Sequence, residues 1–410
     1  MNIGLFTDTY FPQISGVSTS VSILAYELRK LGNNVYIFTT TDPKVKRSQY
    51  NKGKEKYIYR FSSFPYPFYG ARNRRIAFRG YFEAIKIAKM LSLDIVHTQT
   101  EFSIGLIGKI VAHQLNVPQI HTYHTMYQDY TQNIMSGHLI KANGVKRIAR
   151  LFLGSVNGIV APSKRVYDTL RGYGIKCSMP IIPTGIPFLK KNSKNSVLKL
   201  RRSLNIKEKQ PVILYLGRIS REKSIDQLIK MIPYIIKDYS NVILTIVGDG
   251  PERKNLEKYV TDLGIKNNIR FVGMVDHSKI YSYYKLANVF VSTSTSESQG
   301  LTFLESINAN TPFVAINNSF VSKIAENRFI GKTVVRSNQM IPYIEGYLKN
   351  SFYKKENKSR KKILEINSSE NFGKRIFNFY KRILDEFNKD DLGYLPYNSG
   401  HIDNRTDIFK

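Results

Sequence analysis

The chain opens on a short solid apolar run, residues 3–7 (IGLFT). A loop through Pro12, Ser15 and Gly16 follows, and then apolar positions at helical spacing, Val21, Leu24, Ala25 and Leu28, closed by Gly32. A second solid run, residues 34–39 (NVYIFT), comes next. Runs without alternation, separated by one helical stretch, predict strands buried on both faces and joined by a crossover helix, hence a parallel sheet. The pattern recurs, with strands predicted over 94–97, 119–121, 158–161 and 181–182, and helices over 76–90, 104–114, 139–153 and after Pro162-Ser163. The Lys- and Ser-rich stretch 190–196 reads as a linker, so a first domain covers residues 1–190. A second, residues 197–370, repeats the theme with strands over 212–216, 242–247, 269–272, 288–291 and 313–315. Its helices are read over 252–263, over 278–286 and from Gly300. An amphipathic helix over 372–387 follows, and residues 391–410 show no packing pattern and read as a disordered tail. The fold class predicted is α/β, with two doubly wound domains.

Length supports that division, because 410 residues exceed what one core serves. Hydrophobic residues at 42% with 12% aromatics exclude a disordered chain. The single cysteine, Cys177, allows no internal disulfide and suits a reducing compartment. The opening MNIGLFTDTY lacks a basic region before its apolar core, and no apolar run reaches membrane-spanning length, so a soluble or peripheral protein is expected.

Charge changes the picture more. Lys and Arg number 62 against 31 Asp and Glu, a formal net charge of +31, which predicts an anionic partner: nucleic acid, an anionic membrane surface or a phosphorylated ligand. The cations are not interleaved in a nucleic-acid-binding motif, which argues against that class. They concentrate in two amphipathic segments. One holds Arg72, Arg74, Arg75, Arg79 and Lys86 beside Phe78, Tyr81 and Phe82; the other, 139–153, holds Lys146, Arg147 and Arg150. A basic amphipathic helix with aromatic flanks suits an anionic bilayer, and equally suits an ordinary surface helix with its apolar face packed inward.

Candidate chemistry gathers at the ends of predicted strands. Residues 292–306 (STSTSESQGLTFLES) join a strand to a helix through Gly300, a natural anion cradle because free N–H groups and the helix dipole converge there. Glu297 in the turn can accept from sugar hydroxyls, and Glu305, read as two turns into the helix, from a ribose. Arg218 and Lys223 bracket another strand-to-helix turn, where both cations can reach one diphosphate. Gly16 precedes a helix N-terminus, where backbone can approach phosphate, although no G-x-G-x-x-G surrounds it. His121 ends a parallel strand, where open α/β sheets bind ligands. His124 and Asp129 stand near it without a third metal ligand of conventional spacing.

In order along the chain, Gly16, His121, PTGI at 183–186, GRISREK at 217–223, GDGPE at 248–252 and the pair Glu297–Glu305 resemble the family-four retaining glycosyltransferases of the GT-B class. The segments FTDTYFPQISGVSTS, DIVHTQTEFSIGLIG, HTYHTMYQDY and STSESQGLTFLES resemble the bacterial 1,2-diacylglycerol 3-glucosyltransferase branch. The resemblance implies two Rossmann-like domains facing a cleft, the last helix crossing back to the first. It implies transfer of α-glucose from UDP-glucose to diacylglycerol at the cytoplasmic face of a membrane. Arg218 and Lys223 would then stabilise the diphosphate, with Gly300 and Leu301 offering N–H groups. Glu297 would hold the donor sugar, Glu305 the ribose, and His121 would contact the sugar. No metal is obligatory in that scheme, Mg²⁺ being at most a stimulant. A different acceptor (phosphatidylinositol, a glycolipid or a soluble sugar) or UDP-galactose as donor remains the alternative. Departures stand at Ser298-Gln299 and at Pro187.

Overall fold

Six parallel strands build the first sheet. The structure, a computed structural model, describes residues 1–13, 15–50, 52–65, 75–77, 80–124, 142–186, 194–294, 300–318, 320–325, 327–350 and 358–391. In chain order the first half runs β1 (Asn2–Phe6), α1 (Gly16–Lys30), β2 (Asn34–Thr40), β3 (Ile58–Phe61), β4 (Phe64–Pro65), β5 (Arg75–Ile76), α2 (Tyr81–Met90), β6 (Ile95–Thr98), α3 (Ser103–Leu115), β7 (Gln119–Thr122), α4 (Ala142–Leu153), β8 (Gly158–Val160) and α5 (Lys164–Gly172). The sheet order is β3-β2-β1-β6-β7-β8, with β4 and β5 forming a separate antiparallel hairpin.

The second half contains α6 (Lys194–Ser203), β9 (Val212–Leu216), α7 (Ile225–Asp238), β10 (Ile243–Val247), α8 (Arg253–Asp262), β11 (Ile269–Gly273), α9 (Ile280–Leu286), β12 (Val289–Ser292), α10 (Leu301–Asn308), β13 (Phe313–Ile316), α11 (Val321–Ile324), β14 (Gly331–Val334), α12 (Ile341–Lys349), α13 (Lys358–Ile366) and α14 (Ser369–Asp391). Its sheet order, β11-β10-β9-β12-β13-β14, repeats that of the first. Both are doubly wound Rossmann-like sheets of parallel strands, whose order of winding reverses beside β1 and β9. Those two reversal points, between β1 and β6 and between β9 and β12, are where such sheets bind ligands.

The central strands are solid apolar runs because helices cover both faces: Ile3, Leu5 and Phe6 of β1 and Ile243, Leu244 and Ile246 of β10 are buried. Helix α14 packs into the first core, its Phe372, Ile376, Phe379, Tyr380 and Ile383 joining Ile3, Leu5, Val21 and Leu24. A Cβ on Gly158 of β8 would stand 2.6 Å from the Phe379 ring, so the bare glycine lets α14 lie close on the sheet. Where the chain passes between the sheets its two strands of backbone are tied: Ile186 N–H donates to Asn367 O and Ser369 N–H to Ile186 O, both at 2.9 Å.

Several expectations need correction. The helix expected over 76–90 begins only at Tyr81, because Gly80 holds φ +120, a conformation that ends a helical run. Arg75 therefore lies on the hairpin, its guanidinium donating to Ser63 Oγ at 2.8 Å and to Ser63 O at 2.5 Å. The strand expected at 181–182 reduces to a single bridge between Ala161 and Ile181, flanked by Pro180 and Pro183, which have no N–H to extend a ladder. Strands β3 and β14 were not expected at all.

Candidate active site

In the second sheet, β9 ends at Leu216 and the chain turns through Gly217, Arg218 and Ile219. This turn is stitched to the one after β10: Gly217 N–H donates to Val247 O at 3.0 Å and Ile219 N–H to Asp249 O at 3.0 Å. Gly248 makes the approach possible, with φ +128 and a would-be Cβ only 1.9 Å from Gly217 O. Arg218 is thereby held exposed at the strand ends, its carbonyl accepting from the Tyr215 hydroxyl at 2.9 Å. Lys223 ends a short 3₁₀ turn, Arg221–Lys223, and the Thr293 hydroxyl just past β12 reaches back to Lys223 O at 3.1 Å and Ser224 O at 2.7 Å. Strand β12 thus fixes the backbone that carries the lysine.

Gly300 stands at the N-terminus of α10 with φ +61, and a Cβ there would meet the Phe320 ring at 2.4 Å. The first N–H groups of a helix face outward along its axis, so those at Gly300–Leu301 form one wall of this reversal point. Glu305 lies one turn into α10 rather than two, buried. Its carboxylate accepts from the Tyr284 hydroxyl at 3.0 Å and pairs with His277 Nε2 at 3.2 Å. That hydrogen bond, more than any other influence, raises the His277 pKa.

The first sheet supplies a polar cluster at its own reversal point. Asp8, buried just past β1, accepts from Thr100 Oγ1 and Ser103 Oγ, both at 2.5 Å, and from Ile104 N–H at 3.0 Å. Burial pushes its carboxyl pKa up against those hydrogen bonds. His121 on β7 is fully buried, with Nδ1 2.8 Å from Thr98 Oγ1 and Nε2 3.2 Å from Glu101 Oε1. His124 pairs with Gln99 Oε1 at 2.8 Å and is held at a pKa of about 3, by burial first and by the neighbouring His121 second. Gly16 is the first residue of α1, whose N-cap Ser15 accepts from Ser18 N–H at 3.1 Å; a Cβ on Gly16 would meet nothing within 4 Å.

Of the expected site residues, Arg218, Lys223, Gly300, Leu301 and Glu305 gather at the β9–β12 reversal, and His121 and Gly16 stand at the matching ends of the first sheet. Glu297 lies outside the described residues, as do Arg72, Arg74, Arg79, Asp129 and residues 392–410. Lys86 is exposed on α2, and Arg147 and Arg150 are exposed on α4 beside the half-buried Lys146. Sequence reading overlooked Asp8, Glu101, His277 and Tyr284. The only signal for Glu101 is its place shortly after a strand end, beside Thr100 and Ser103.

Residues 14–188 match the family model described as Glycosyltransferase Family 4, and residues 196–365 that described as Glycosyl transferases group 1. The alpha-monoglucosyldiacylglycerol synthase of Streptococcus pneumoniae is 41% identical over 396 residues, covering 95% of this chain and 88% of its own length. The synthase of the same name from Acholeplasma laidlawii is 32% identical over 328 residues, 77% of this chain and 80% of its own. Among solved structures, Anabaena Alr3699/HepE in complex with UDP-glucose superposes with a TM-score of 0.72 at 16% identity, over 93% of this chain and 99% of that one. At that identity the likeness speaks for the fold.

Proposed function

The chain belongs to the family 4 glycosyltransferases with the GT-B fold, and from that membership we propose that it moves α-glucose from UDP-glucose to the 3-hydroxyl of 1,2-diacylglycerol, with retention, at the cytoplasmic surface of a membrane. The observation that carries this reading is identity along nearly the whole chain, 41% over 95% of it, to a protein named for that product.

The geometry supports the chemistry. The bond from the anomeric carbon to the β-phosphate oxygen breaks, so negative charge grows on the diphosphate. The acceptor hydroxyl oxygen forms the new bond, and its proton passes to the departing phosphate on the same face. Arg218, Lys223 and the N–H groups at Gly300–Leu301 surround the place where that charge develops, and one such preorganised donor contributes ~3 kcal/mol. Cations in this role leave no step that requires a metal. Glu305, held by Tyr284 and His277, accepts from the ribose, and Glu297 contacts the sugar. His121, expected to touch the sugar too, is fully buried with both ring nitrogens engaged and acts on it only through Glu101. Glu101 holds the His121 ring at Nε2. Residues 1–190 with α14 take the acceptor and the membrane, and residues 197–370 take the nucleotide sugar. Among the described residues no helix is long and apolar enough to cross a membrane. With +31 net charge and exposed Lys86, Arg147 and Arg150, attachment to an anionic surface is electrostatic in part. Arg72, Arg74 and Arg79 add to that charge.

The test is product formation from radiolabelled UDP-glucose with diacylglycerol in anionic mixed micelles, resolved by thin-layer chromatography, with UDP-galactose and a soluble acceptor alongside. One new glycolipid from UDP-glucose and diacylglycerol alone is expected. Label on a soluble acceptor and none on lipid would overturn the acceptor while keeping the fold.

A further inference from the structure

Helix α3 crosses over between β6 and β7, and such a helix ordinarily turns one apolar stripe inward. Its Ile104, Ile107, Gly108 and Val111 do so and are buried. A second apolar row faces out. Phe102, at the N-cap, and Leu106 and Ile110 follow one another at four-residue intervals, on one face of the helix, with 41%, 49% and 42% of their surface exposed. The row is about 12 Å long at 1.5 Å per residue.

Helix α4 extends it. Lys109 Nζ donates to Phe152 O at 2.9 Å and Leu151 O at 3.2 Å, which fastens the end of α4 beside the middle of α3. Ile148 and Leu151 of α4 are 55% and 71% exposed. Several exposed apolar side chains on two helices fastened side by side mark an interaction site. Its charge identifies the partner. Neither α3 (SIGLIGKIVAHQL) nor α4 (ANGVKRIARLFL) contains a carboxylate, whereas Lys109, Lys146, Arg147 and Arg150 all lie on them. Apolar side chains on two helices whose own charges are all cations complement an anionic headgroup layer above acyl chains, with Glu83 of the neighbouring α2 and the half-buried Glu101 as the nearby carboxylates.

We propose that α3 inserts the ridge Phe102, Leu106 and Ile110 into an anionic lipid surface, with Ile148 and Leu151 of α4 entering beside it. The choice of occupant rests on the membrane reading of the proposed function; the ridge itself does not. It divides the attachment into a charged component and an apolar one, and only the first is screened by salt.

The experiment sediments the full chain with sucrose-loaded vesicles of phosphatidylglycerol and phosphatidylcholine at low and high salt. Wild type keeps a bound fraction in high salt. Leu106→Gln with Ile110→Gln lowers partitioning by about tenfold or more and leaves only salt-labile binding, because the apolar surface that entered the bilayer is gone. Ile148→Gln with Leu151→Gln gives the same change more weakly, and both pairs melt like wild type. Equal binding by wild type and the α3 variant, or fully salt-labile binding by wild type, would overturn the proposal. So would a dimer in solution that the α3 variant dissociates while vesicle binding is unchanged. Salt-resistant vesicle binding without glycolipid synthesis would keep the ridge and sink the substrate reading.

Discussion

Lys223 and His277 show how one side chain can be read for its chemistry. The backbone of Lys223 is fixed by Thr293, so truncating its side chain leaves that turn intact. Lys223→Ala should therefore lower kcat by about 10²–10³, the loss expected for one donor to a developing anion, with the fold retained by circular dichroism. Normal turnover in the variant would remove the lysine from the site. His277 answers to pH instead. Its pKa is raised above the ordinary 6.5 chiefly by the hydrogen bond with Glu305, so the stability it contributes is fully present below about 6.5 and fades as pH rises through the raised value. The ring is 45% exposed, which limits the gain to the ~1 kcal/mol of a surface pair. His277→Ala should thus lower the melting temperature more at about pH 6 than at about pH 8. An equal drop at both would mean that the neutral ring supplies the stabilisation. Because Glu305 is the proposed ribose acceptor, the same variant should raise KM for UDP-glucose more than it lowers kcat.

At the scale of elements, two glycines at strand-to-helix turns make opposite predictions. Gly248 has φ +128 and a backbone oxygen 1.9 Å from any Cβ, so Gly248→Ala must push apart the turns that carry Arg218. A cost of about 3 kcal/mol or more is expected, read as a lower urea midpoint, with activity falling alongside. Gly16 opens α1 into free space, so Gly16→Ala should leave stability unchanged or raise it by up to ~1 kcal/mol. It should nonetheless raise KM for the donor if phosphate approaches that backbone. An unaltered KM would show that Gly16 only shapes the loop. The same contrast explains what was legible beforehand. Central strands such as β1, β9 and β10 announced themselves as solid apolar runs because both of their faces are covered. The edge strands β3 (IYRF) and β14 (GKTV) mix polar with apolar residues and carry no such run. The early start expected for α2 followed an amphipathic pattern that continues past Gly80, although one backbone angle ends the helix there. Cations and glycines at strand ends pointed to the side of the site proposed for the nucleotide. Glu101 and His277 stayed hidden because their partners, His121 and Glu305, stand 20 and 28 residues away and meet them only in the fold.

For the whole molecule, the decisive feature is that the last helix completes the first core. Phe372, Ile376, Phe379, Tyr380 and Ile383 of α14 are buried in one core with β1 and α1 from the first 30 residues of the chain. Each such side chain contributes about 1.5–3 kcal/mol when buried, so their sum is comparable with the whole stability of a domain, about 5–15 kcal/mol. A polar tie adds to this. His97 on β6 is fully buried, its Nδ1 2.5 Å from the Tyr380 hydroxyl and its Nε2 2.7 Å from Thr122 Oγ1, and burial holds its pKa well below 6.5. A fragment of residues 1–190 should then lack a cooperative urea transition, and a peptide of residues 369–391 added in trans should restore one. In the full chain, Tyr380→Phe keeps the ring and deletes the hydroxyl, leaving a buried imidazole nitrogen without its partner at a cost of about 1–3 kcal/mol. A cooperative transition in the fragment alone, at the midpoint of the intact protein, would show that the first sheet folds without its closing helix. Failure of the peptide to bind would place the dependence in the tied backbone at Ile186 and Ser369 instead. Success would mean that the first sheet waits for α14, so that residues 197–370 must be made before the half that precedes them is stable.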